Sequence, residues 1–262
     1  MEFLSVDGVR LEYEMLRCSQ SDAAPTIVFL HEGLGSIGQW REFPRDLAQA
    51  TGCHALIYAR KGHGNSDPLS APRTPEFMHV EAFEVLPQVL AKLGIERPIL
   101  LGHSDGGSIA LLYAGGGHEV RGLIVEAPHV FVEDRSIAGI EAASRAFEDT
   151  DLREKLARYH ADAESMFRGW NDIWLSPGFR AWNIEEFLPR VECPVLAIQG
   201  EQDAYGTMAQ IDAIAAQVKA EVSLLKLEHC GHVPHREQPE KTLAAAARFI
   251  RQLPPLGRTK TR

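Results

Sequence analysis

The sequence predicts an α/β protein: a doubly wound, mostly parallel eight-stranded sheet flanked by helices, with a helical insertion over the sheet. Three observations predict it. Short apolar runs without polar alternation recur along the chain, as strands covered on both faces require. Longer amphipathic stretches separate them, and strands alternating with helices build parallel sheets. The rhythm stops between about residues 130 and 189, where no strand-like run occurs and aromatic residues become frequent.

The elements follow in order. Residues 3–6 and 9–15 flank Asp7-Gly8, a dipeptide that favours tight hairpins, so the first two strands are expected to be antiparallel. Residues 26–30, 54–58, 98–102, 122–126, 194–198 and 222–226 read as the buried strands of a parallel sheet. Between them, residues 76–93 carry apolar side chains near helical spacing and stop at Gly94, a C-terminal cap. Residues 207–218 and 239–253 read as helices in the same way. Residues 130–189 read as a helical lid on a core formed by residues 1–129 and 190–262. Most aromatics of that segment are expected to pack it onto the body.

Composition bounds the function. With 262 residues, 45% hydrophobic and 24% charged, the chain has the balance of a globular protein and enough length to bury one sizeable core. A net charge of −9 offers no attraction to phosphate backbones or anionic lipid, so neither nucleic acid nor a membrane surface is expected as a partner. No run approaches 18 apolar residues, and the first residues carry no basic and apolar leader pattern, so a cytoplasmic location is expected. Cys18, Cys53, Cys193 and Cys230 form no CxxC pair and read as free thiols. The basic end, Arg258 to Arg262, reads as a solvated tail. A monomer and a homodimer both stay open.

The chemistry concentrates in Gly102-His103-Ser104-Asp105-Gly106, a G-x-S-x-G between a strand and an apolar helix. That context places a serine on a sharp strand-to-helix turn, its hydroxyl exposed at the C-terminal end of the sheet. Glycines on either side let strand and helix approach closely. The N–H of Asp105 then points from a helix N-terminus, where developing negative charge is favoured. A serine hydroxyl needs a base to take its proton. Two later strand ends supply candidates: Gly200-Glu201-Gln202-Asp203 and Gly231-His232, both on the edge where open α/β sheets bind ligands.

With these motifs in the order Ser, Asp, His, the chain resembles the α/β-hydrolase superfamily from about Val6 to Ile250. Further matches are Glu237 and Pro239 after His232, the turn Gly62-His63-Gly64-Asn65-Ser66, and the loop His31-Glu32-Gly33-Leu34-Gly35 followed by Trp40. The resemblance implies an α/β-hydrolase fold and a serine hydrolase with Ser104 as nucleophile, His232 as general base and Asp203 as its orienting acid. It also implies an oxyanion hole built from the N–H of Asp105 and the N–H of Gly33, with Leu34 as the rival donor. Two departures stand out. Glu32 occupies a position where the family carries glycine, and Asp105 follows the nucleophile where many relatives carry Met or Gln. Asp105 either complements the helix N-terminus or touches a polar substrate. Glu32, Trp40, Trp170, Trp174 and Trp182 are candidates for the substrate pocket.

Among the eleven histidines, His235 is the nearest rival to His232, while His31 and His103 read as fixing or packing groups and His63 as part of a structural turn. No H-E-x-x-H or close Cys/His pair is present, so no metal is expected, and nothing implies a cofactor. Gly115-Gly116-Gly117 lacks the Lys-Ser/Thr of a phosphate loop. The resemblance implies a small-molecule substrate, first a carboxylic ester or lactone. Thioesters, carbon–carbon cleavage of vinylogous diketones, lyase chemistry and non-catalytic ligand reception are the alternatives on the same fold. A serine nucleophile argues against the dehalogenase and epoxide hydrolase branches, which use aspartate.

Overall fold

Asp7 and Gly8 both take positive φ, 49° and 80°, closing a tight turn between β1 (Glu2–Val6) and β2 (Val9–Leu16). The structure is a computed structural model that describes residues 1–21 and 23–254; the basic segment 258–262 lies outside the described residues. β3 (Thr26–Leu30), β4 (His54–Tyr58), β5 (Ile99–His103), β6 (Gly122–Glu126), β7 (Val195–Gly200) and β8 (Val222–Leu227) complete one eight-stranded sheet. Its order is β1-β2-β4-β3-β5-β6-β7-β8. Only the β1–β2 and β2–β4 pairs are antiparallel; the other pairs are parallel.

The unbroken apolar runs have a plain cause. Alternate residues of one strand enter two different cores. Val28, Leu30, Leu100, Leu123 and Val125 join the core on one face, whereas Ile27, Phe29, Ile99, Leu101 and Ile124 join the core on the other. On the second face lie α1 (Phe43–Thr51) and α10 (Pro239–Gln252). On the first lie α2 (Phe77–Val80), α3 (Leu86–Lys92), α4 (Asp105–Gly115) and α8 (Ala209–Gln217). Each fully buried aliphatic side chain contributes roughly 1.5–3 kcal/mol of transfer free energy.

Two expectations are corrected. The run at 222–226 is not covered on both faces: β8 pairs only with β7, and Ser223, Leu224 and Lys226 are exposed. Nor is 76–93 one regular helix. Pro87 has no N–H for the carbonyl of Phe83, and the preceding turn, Glu81–Val85, widens to π-type hydrogen bonding between α2 and α3. Gly94, at φ 65°, ends the run as expected.

Between β6 and β7 the chain forms α5 (Asp134–Asp149), α6 (Leu152–Leu156) and α7 (Ala163–Leu175), then short turns. A lone bridge between Phe131 and Asn183 ties the two ends of this segment together. Glu133 and Ser136 cap α5 reciprocally. The Glu133 carboxylate also accepts from Thr207 N–H at 2.9 Å and from Gln210 Nε2 at 2.7 Å. The segment is thereby fastened to the loop that carries Asp203. Phe147 of α5 and Phe167 of α7 stack at 3.9 Å between centroids. A short helix α9 (Pro234–Glu237) precedes α10.

Candidate active site

β5 passes into α4 through a single residue. Ser104 takes φ 51° and ψ −118°, a conformation disfavoured for a residue with a side chain, and it is held there by its surroundings. Its N–H donates to Glu126 O at 2.8 Å, and its carbonyl accepts from Gly107 N–H at 2.8 Å. Helix α4 is also in backbone contact with β3: a Cβ on Gly106 would lie 1.9 Å from Leu30 O, which only glycine permits. Ser104 lies at the edge of a cavity of about 170 Å³ that it shares with His232.

His232 arrives from the loop after β8 and Asp203 from the loop after β7. His232 Nδ1–H donates to Asp203 Oδ2 at 2.7 Å. The carboxylate is otherwise saturated: Gln199 Nε2 donates to Oδ2 at 2.7 Å, and Tyr205 N–H to Oδ1 at 2.7 Å. His103 Nε2 donates to His232 O at 2.6 Å, and Tyr205 packs on the imidazole at 4.7 Å between centroids. Burial opposes the charged imidazolium, but Asp203, with Glu32 and Asp105 nearby, outweighs it, so the His232 pKa lies above its ordinary value. For Asp203 burial works against ionisation, and His232 with the Tyr205 N–H overcomes it, leaving the carboxyl below its ordinary range. The one side-chain hydrogen bond of His232 among the described residues is to Asp203, and none joins it to Ser104 Oγ.

The loop after β3 presents the other donors. Leu34 N–H is taken by the Glu32 carboxylate, whereas Gly33 N–H has no partner among the described residues. Of the two rival donors, Gly33 is the free one. Its Cα is covered by Trp170, whose Nε1 would lie 2.1 Å from a Cβ there. The loop carbonyls are clamped from three sides. Arg60 donates to His31 O and, at 3.1 Å, to Glu32 O. His31 Nδ1 binds Glu32 O at 2.7 Å, His160 Nε2 binds Leu34 O at 3.0 Å and His63 Nδ1 binds Gly35 O at 3.1 Å. Burial keeps these histidines neutral: His31 and His63 sit well below their ordinary value and His160 at about 4.

Asp105 heads α4, and its N–H has no partner among the described residues. Its side chain does not reach the cavity. Oδ1 accepts from Trp174 Nε1 at 3.2 Å, and Oδ2 lies 3.9 Å from the Arg60 guanidinium, both groups being buried. The alternative in which Asp105 touches substrate is therefore set aside for its carboxylate.

The pocket candidates divide. Glu32, Trp170 and Trp174 border the Ser104 cavity. Trp40 does not: it packs against Phe29 at 5.3 Å and His235 at 4.7 Å in the core on the opposite face of the sheet. Trp182 does not either, being stacked on Phe179 at 5.3 Å behind Trp174. His235 is bound to buried Glu126 at 2.7 Å and does not border the cavity. The sequence reading missed Arg60, His160, His129, Ile140 and Tyr205. The last three border the cavity; burial pushes His129 down to about 4. Among the described residues no group of side chains is arranged to hold a metal ion, and no helix is long and apolar enough to cross a membrane.

Residues 27–246 match the Alpha/beta hydrolase family. An sn-1-specific diacylglycerol lipase of Mus musculus is 33% identical over 105 residues, which is 40% of this chain and 32% of that protein. The chain thus spans about a third of that lipase's length. A 2-succinyl-6-hydroxy-2,4-cyclohexadiene-1-carboxylate synthase of Yersinia pestis is 27% identical over 264 residues, covering 89% of this chain and 91% of the synthase. A proline iminopeptidase from Mycobacterium smegmatis has the same fold, with a TM-score of 0.78 at 21% identity, covering 96% of this chain and 97% of that one. The family match over most of the chain, the sheet order and the strand-to-helix turn at Ser104 agree, and the chain belongs to the alpha/beta hydrolase family.

Proposed function

We propose that the chain hydrolyses a small carboxylic ester or lactone through an acyl-enzyme on Ser104. The observation that carries this is a strained serine sharing one small cavity with a histidine that is itself held at 2.7 Å by a buried aspartate. His232 Nε2 takes the Ser104 proton as Oγ attacks the carbonyl carbon. Asp203 fixes the tautomer and stabilises the imidazolium. The free N–H groups of Gly33 and Asp105 receive the oxyanion, and preorganised donors of this kind lower the barrier by roughly 3–4 kcal/mol each. Collapse expels the alkoxide, which takes the proton from His232. Water then attacks the acyl-enzyme with His232 again as base, releasing the acid and restoring Ser104.

Residues 130–189 act as a lid on the core of 1–129 and 190–262. Support comes from Ile140, Trp170 and Trp174, side chains of that segment that border the cavity. A volume of about 170 Å³ is close to the roughly 150 Å³ that accommodates a benzene-sized ligand, which favours short acyl groups.

The synthase relative, similar over most of the chain and named for a carboxylate compound, raises a second reading: chemistry on a carboxylate-bearing molecule at the same site. Among the described residues no arginine or lysine borders the cavity to receive a carboxylate, and this favours the uncharged ester or lactone. Hydrolysis of p-nitrophenyl esters from acetate to octanoate tests the proposal. Wild type is expected to turn over the short esters best, and Ser104→Ala to lose at least about a thousandfold in kcat/KM. Wild type inert toward every ester would overturn esterase activity, and a mutant equal to wild type would overturn Ser104.

A further inference from the structure

Glu32 sits in the loop beside the nucleophile with half of its carboxylate unused. Oε2 accepts the Leu34 N–H, and Oε1 has no hydrogen bond among the described residues. The side chain borders the Ser104 cavity. The nearest guanidinium, Arg60, is committed to the carbonyls of His31 and Glu32 and to Asp105. A carboxylate in that place favours the His232 imidazolium but opposes an oxyanion at the neighbouring N–H. Negative charge next to the Gly33 N–H weakens any oxyanion formed there, and a low-dielectric site magnifies the effect. The conflict disappears when a positive charge lies between the two.

The rest of the wall suits a positive charge. Trp170, Trp174 and Tyr205 border the same cavity, and aromatic rings attract a small ammonium group. The space left, about 170 Å³, admits a group of a few heavy atoms. We propose that the cavity takes substrates bearing a small ammonium group next to the reacting carbonyl, with Glu32 as the anionic partner and Trp170, Trp174 and Tyr205 as the aromatic wall. The substrate class is then a short amino-acyl ester. This rests on the reading of Ser104 as the nucleophile of a hydrolase.

Glycine ethyl ester and ethyl propanoate test it, since they differ by an ammonium group in place of a methyl group. At about pH 7 the glycine amine is largely protonated. Wild type is expected to favour the glycine ester in kcat/KM after subtraction of the spontaneous rate. In Glu32→Gln, which keeps an oxygen for the Leu34 N–H, the ratio of the two kcat/KM values is expected to fall about tenfold. An unchanged ratio overturns the proposal and leaves the hydrolase reading intact. Should wild type hydrolyse neither ester, the p-nitrophenyl series decides the hydrolase reading, and calorimetric titration with n-propylammonium and n-propanol decides the ammonium site. The proposal expects wild type to bind the ammonium at least about tenfold tighter and Glu32→Gln to lose that preference; equal affinities in wild type overturn it.

Discussion

At His232 two opposing effects meet. Burial favours the neutral ring, and the Asp203 carboxylate favours the charged one and prevails. A general base must be neutral to accept a proton, so activity falls as pH drops through this raised pKa. The acid limb of kcat/KM is therefore expected above the ordinary histidine value of 6.5. In Asp203→Asn the opposing carboxylate is gone and burial acts with less opposition. The limb is expected to move to lower pH while the plateau falls on the order of a thousandfold or more. A pH–rate profile of both proteins checks this; a limb that stays in place in the variant would show that Asp203 does not tune the base. The placement of Ser104, Asp203 and His232 at one sheet edge was legible in the sequence because each follows a strand end, Ser104 directly after β5 and the other two in the short loops after β7 and β8. The four tryptophans were not separable that way. Trp170 and Trp174 share a face of α7 and meet the cavity, whereas Trp40 follows β3 into the opposite core.

Among elements, the loop after β3 depends on the loop after β4. Arg60 binds the carbonyls of His31 and Glu32 and approaches Asp105, joining the ends of β3, β4 and β5 at one buried guanidinium. Its removal leaves Asp105 and two carbonyls short of a partner. Arg60→Leu is expected to cost about 3–5 kcal/mol, read as a lower urea midpoint; an unchanged midpoint would contradict the clamp. Nothing near Arg60 in the sequence announced this, since its partners are 28, 29 and 45 residues away along the chain and meet only through parallel pairing of β4 with β3 and β3 with β5. The break in the helix at 76–93 was legible in principle from Pro87, but apolar spacing outweighed it. The exposed face of β8 was hidden for a similar reason. An apolar run reveals a strand, while its place at the sheet edge is a property of topology.

In the whole molecule, the cavity exists because the segment between β6 and β7 folds back over the C-terminal strand ends. α7 contributes Trp170 directly above Gly33. Replacing that indole with a methyl group enlarges the cavity on the α7 side. Trp170→Ala is expected to shift the preferred p-nitrophenyl ester toward longer acyl chains, with lower kcat for the acetate as Gly33 loses its support. An unchanged chain-length profile would remove Trp170 from the acyl site.

The most direct test of the central claim is to trap the acyl-enzyme. Protein quenched with acid during turnover of p-nitrophenyl acetate, then measured by intact and peptide mass spectrometry, is expected to carry one acetyl group on the peptide containing Ser104, and Ser104→Ala to carry none. Turnover with no acetyl group on Ser104, or with the label on another residue in wild type and variant alike, would contradict the assignment of Ser104 as the nucleophile.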